Sequence, residues 1–113
     1  MKQHRYRITL EHLATAKGEP GTHEPLVFEA RNHDDLFEII ARIRGKGLLK
    51  EPDQAASLAL GLKLLAEVTL ENREDPFFGG LRGPLREFIQ QIKGATPKGP
   101  APDAGTIARE PPQ

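Results

Sequence analysis

The sequence contains no cysteine. That excludes a disulfide scaffold, a thiolate nucleophile and cysteine-ligated zinc or iron–sulfur centres. An excess of either charge is also missing, because sixteen basic and sixteen acidic side chains cancel. A neutral chain lacks the bulk attraction to nucleic acid or anionic lipid that a strongly basic domain has. Only a local basic patch could supply it. Long apolar runs are absent too. The longest, around residues 55–62, ends at Lys63, far short of a membrane span. Met1 to Arg7 pass straight into a strand pattern without the apolar stretch of a secretory signal. Cytoplasmic residence and no membrane partner are therefore expected.

Catalytic signatures are equally scarce. Gly45-Lys46-Gly47 has neither the spacing nor the strand–loop–helix setting of a phosphate loop. Ser57 lies in a helical pattern with no histidine near it in sequence, and nothing resembles a nucleophile elbow. No motif points to a cofactor.

What remains is ordinary globular composition: 113 residues, 37% hydrophobic and 28% charged. A domain of this size buries roughly 65% of the surface its unfolded chain exposes, enough for one core without staples. From His4 to Leu13 the chain alternates, with Tyr6, Ile8 and Leu10 on one face and Arg5, Arg7, Thr9 and Glu11 on the other. Leu26, Phe28 and Ala30 repeat the apolar face, with Glu29 and Arg31 opposite. Between them Gly18, Pro20, Gly21 and Pro25 mark a long connection. The two strands are expected to pair antiparallel, with one apolar face for the following helices to cover.

Three helices follow. The first is expected from Asn32 as N-cap, with Asp34 and Asp35 in its first turn, where the helix dipole favours negative charge. Leu36, Phe37, Ile39, Ile40 and Ile43 form its stripe, and Gly45 and Gly47 stop it. The second opens at Pro52 and runs to Asn72. Its apolar positions are broad enough for a central helix covered on more than one side. Gly61 lies in its middle, which suggests close approach of a neighbouring backbone. Pro76 ends it, with Phe77 and Phe78 expected to fold back into the core. The third is expected from about Pro84, buried through Leu85, Phe88, Ile89 and Ile92. The fold class is thus α+β: an antiparallel two-stranded hairpin packed against three helices, forming one domain over 1–93. Residues 94–113, rich in proline and glycine, are expected to be a disordered tail.

His4-Arg5-Tyr6-Arg7-Ile8-Thr9, then Asn32-His33-Asp34-Asp35, then Leu60-Gly61-Leu62-Lys63-Leu64 with Glu67-Val68 and Asp75-Pro76, make a specific series. Over about residues 4–93 it resembles a family of small bacterial proteins, the domain of unknown function numbered three-eight-six-one. The resemblance implies a bacterial origin and a compact hairpin-plus-helices domain. It carries over no activity, cofactor or site residue.

Two residue groups could carry chemistry. His33 with Asp34 and Asp35, which the hairpin could bring near His4 or His12, has the side chains of a general base or a divalent-metal site. Adjacent helical residues point about 100° apart, so the three cannot all converge on one ion, and helix capping explains them without a ligand. His4 and His12 fall on the apolar-face parity of the first strand, where a local hydrogen bond is the favoured role. His23, in the connection, carries no signal by itself. The second group is the polar hairpin face, Arg5, Arg7, Glu29 and Arg31, which could hold a phosphate or an acidic partner. Glu11 and Glu29 are placed for cross-strand ion pairs, so a solvated, salt-bridged face is the favoured reading.

A lone two-stranded sheet has two unpaired edges, which either pair or need protection. A homodimer, or a module that binds another protein, is therefore the leading expectation. An enzyme or metal protein using His33 with Asp34 or Asp35 is the alternative. Nucleic-acid binding through Arg5, Arg7 and Arg31 is weaker still, given the neutral charge.

Overall fold

Period-two alternation produces both strands, although the first stops short of Leu13. In the computed structural model, which describes residues 2–95, β1 spans His4–Leu10 and β2 spans Leu26–Asn32. They pair antiparallel, from His4 opposite Asn32 to Leu10 opposite Leu26. Tyr6 thus faces Ala30, and Ile8 faces Phe28. This register puts Tyr6, Ile8, Leu10, Leu26, Phe28 and Ala30 on one side, with Val27 on the other beside Thr9.

Three helices complete an α+β chain in the order ββααα: α1 (Leu36–Lys46), α2 (Pro52–Glu71) and α3 (Gly79–Gly94), with a short 3-10 turn at Pro76–Phe78. The described residues fall into two compact units, one ending at Asp34 and the other beginning at Asp35. The expected tail lies outside the described residues, apart from Gly94 and Ala95, which close α3.

In the helical unit the core is built on small residues. Ala55 and Ala59 of α2 are buried with Ile43 of α1 and Ile92 of α3, and Ile39, Ile40, Leu48, Leu49, Leu58 and Leu62 pack around them. Alanines at i and i+4 leave room for the isoleucines of a neighbouring helix to come close. Burying a side chain such as Ile43 contributes about 1.5–3 kcal/mol. The Lys46 ammonium donates to the Lys93 carbonyl at 3.0 Å, placing a cation at the negative end of α3.

Several boundaries differ from the sequence expectation. The N-cap of α1 is Asp35, whose carboxylate accepts from the amides of Phe37 and Glu38. Asn32 instead accepts from the Asp34 amide at 3.0 Å, forming a turn that precedes the helix. Gly45 stays helical, and Gly47, with φ at 67°, ends α1. Gly61 admits no neighbouring backbone: a Cβ there would meet nothing within 4 Å.

Two corrections concern the C-terminal part. α3 begins at Gly79 rather than near Pro84, which sits inside the helix. The proline costs the helix the one amide hydrogen bond that would go to the Gly80 carbonyl. Phe77 is 83% exposed rather than folded into the core. The Asp75 carboxylate accepts from its amide at 2.9 Å and fixes the 3-10 turn, with Phe78 half-buried and Phe77 outside.

Candidate interaction surface on the hairpin

Arg5, Arg7, Glu29 and Arg31 share the polar face because they share strand parity and register. Arg7 lies directly opposite Glu29, and Arg5 opposite Arg31. Arg5 grips Glu29 diagonally, with Nε at 2.8 Å from Oε2 and Nη2 at 2.9 Å from Oε1. Arg31 Nε stands 3.8 Å from the same Oε2. This two-bonded Arg5 contact is the main reason the Glu29 carboxyl is held below its ordinary range; desolvation opposes it, and the charges of Arg5, Arg31 and Arg7 assist. The same hydrogen bond pushes the Arg5 guanidinium upward. The cross-strand pairing expected for Glu29 is therefore present. Exposed pairs of this kind add little stability, but they occupy the acidic group among three arginines.

The opposite face changes character along its length. Near Asn32, itself only 1% exposed, Tyr6 is half-buried and its hydroxyl donates to the Asp34 carbonyl at 3.1 Å. His4 stacks on Tyr6 with ring centroids 6.0 Å apart. Towards the connecting loop the exposure rises. Leu10 is 63% exposed, Leu26 57% and Phe28 44%, and all three lie on the face whose alternation reads as apolar. Apolar side chains grouped in this way on an exposed sheet mark a contact surface more often than isolated ones do.

The connection between the strands is itself built. Thr15 and Glu19 close a tight turn, with Gly18 donating to the Thr15 carbonyl and adopting φ of 88°. Ala14 bridges Pro20. Relative to the Leu10–Leu26 pair, residues 11–13 face the longer stretch 21–25. The extra length bows out, and His23 crosses to His12. Their Nδ1 atoms are 2.8 Å apart and their ring centroids 4.9 Å. Sequence reasoning missed this pair. The signal available was weak: two histidines flanking a glycine- and proline-rich connection, with the loop slip invisible.

His33, Asp34 and Asp35 do not gather into a site. His33 Nδ1 lies 3.5 Å from Gln3 Nε2. Asp34 uses its amide and carbonyl in contacts to Asn32 and Tyr6. Asp35 caps α1. Among the described residues, no three His, Cys, Asp or Glu side chains cluster as a metal site. No described helix is long and apolar enough to cross a membrane.

A family model for a domain of unknown function with a solved structure, DUF3861, matches residues 4–94. The chain belongs to the DUF3861 family. A crystal structure of a protein of unknown function from Pectobacterium atrosepticum is 32% identical, with a TM-score of 0.70. The match covers 83% of this chain and 100% of that one. No curated protein matches the chain. The DUF3861 description states no activity.

Proposed function

We propose that this chain is a non-catalytic self-association module whose interface is the hairpin. The observation that carries the reading is the exposure of Leu10, Leu26 and Phe28 on a sheet of only two strands. Neither outer edge is paired to a strand among the described residues. An unpaired edge beside exposed apolar side chains is a template for another strand. A second copy satisfies both features at once, because a two-fold interface presents the same patch from each side.

Side-chain order along β1 suits such a pairing. If two β1 strands meet antiparallel about a two-fold at Ile8, Tyr6 faces Leu10, Arg7 faces Thr9 and Arg5 faces Glu11. No like charges are then opposed, and cross-strand pairs of these kinds are favourable. The alternative readings have less support. Asp35 is committed to capping α1, which removes it from an enzyme built on His33. Arg5 is held by Glu29, which weakens a phosphate-binding role for the arginine face.

The test is solution mass of the full chain by light scattering over a wide concentration range. The reading expects twice the chain mass, falling to the monomer on dilution. A monomer at every concentration would overturn it and turn attention to a partner protein that adds a strand to the same edge.

A further inference from the structure

Two imidazoles meeting at 2.8 Å across a loop need an explanation of their own. The Thr22 amide donates to His12 Nδ1 at 3.2 Å. An amide can only donate, so His12 Nδ1 is an acceptor and its proton sits on Nε2. His23 Nδ1 therefore supplies the proton between the two rings. One lone pair on His12 receives two donors, and a proton occupies a gap between two nitrogens that both bind metals well when neutral.

We propose that His12 and His23 chelate one divalent transition-metal ion of the zinc, nickel and copper class through these facing Nδ1 atoms. Imidazole suits this class of ion. Two nitrogens bound to zinc at about 2.0–2.1 Å stand about 2.9–3.4 Å apart, depending on the angle at the metal. The observed 2.8 Å therefore has to widen by only a small amount. His23 moves its proton from Nδ1 to Nε2, where it faces outward, and no proton leaves the neutral pair. The ion takes the place of the shared proton and of the Thr22 amide at His12.

Three features of the loop favour a cation there. Glu11 and Glu24 line the same recess as the two histidines, a volume of about 570 Å³ that also includes Leu10 and Leu26. Their charge attracts a cation, and each carboxylate stands next in sequence to one of the ligands. Gly21 allows the return strand to press against the His12 backbone, where a Cβ would overlap the His12 carbonyl. The Thr15–Glu19 turn and the Ala14–Pro20 bridge hold the two sides together, which reduces the ordering cost of binding. With two protein nitrogens, the remaining coordination positions belong to water.

The test is calorimetric titration of the full chain with zinc chloride, repeated with nickel chloride. The proposal expects saturable binding of one ion per chain. Loss of a group that only hydrogen-bonds a metal ligand costs roughly 10–100-fold in metal affinity, so removing a ligand should cost at least that. His12→Ala and His23→Ala should both show this loss, while His33→Ala binds as the unaltered chain does. His23 is exposed, so His23→Ala remains informative even where His12→Ala disturbs the loop. No saturable binding by the unaltered chain, or undiminished affinity in His23→Ala, would overturn the proposal. A role confined to loop stability would lower the unfolding midpoint of His23→Ala without a zinc-dependent difference, and would count against it equally.

Discussion

Arg5 and Glu29 close two hydrogen bonds diagonally across the hairpin, at 2.8 and 2.9 Å, and this contact is the main cause of Glu29's lowered pKa. A carboxyl whose pKa is lower in the folded state stabilises the fold above its unfolded value. That contribution is lost as the pH falls through the folded value. The pair is exposed, so the effect is small and shrinks in high salt. Stability measured by urea titration at several pH values should be slightly higher for the native chain than for Glu29→Gln at neutral pH. The difference should vanish below the ordinary carboxylate range. A difference that persists in acid would place the contribution of Glu29 outside its charge.

Gly21 should resist any side chain. A Cβ there would run into the His12 carbonyl, a backbone atom that cannot swing aside. Gly21→Ala is therefore expected to open the loop and to destabilise the hairpin by about 1–3 kcal/mol, the range for a side chain forced into occupied space. Denaturant unfolding checks the magnitude, and NMR shifts of His12 and His23 check the location. Unchanged histidine resonances would contradict the close approach.

Gly61 should behave in the opposite way. It lies inside α2 with open space where a Cβ would go, so glycine there only costs helix propensity. Gly61→Ala should stabilise the chain by about 1 kcal/mol. A thermal or denaturant midpoint that falls would mean that a contact requires the glycine.

These glycines show where the sequence is legible and where it is not. Period-two alternation at Tyr6, Ile8 and Leu10 is a local property, and it gives the strand, its faces and the Glu29 ion pairs. Helical spacing and Pro52 likewise place α2 to within a residue of its observed ends. The reason for a mid-helix glycine is not local, because Gly61 reads the same with or without a neighbour. Phe77 fails for a related reason: hydrophobicity suggests burial, but the Asp75 cap fixes a turn that leaves the ring outside. The cap of α1 moved from Asn32 to Asp35 because both residue types can accept amide hydrogen bonds, and only the course of the chain decides between them. The His12–His23 contact depends on unequal lengths on the two sides of the loop. No periodicity records that.

The central claim is self-association through the hairpin, and one paired measurement tests it most directly. Light scattering on the full chain, from low to high concentration, should be run beside Leu10→Glu. Leu10 is 63% exposed, so a charge there is expected to leave the fold intact, which circular dichroism verifies. The account predicts a dimer for the unaltered chain and a monomer for Leu10→Glu at the same concentration. A folded Leu10→Glu that dimerises as well as the unaltered chain, or an unaltered chain that stays monomeric throughout, would contradict it.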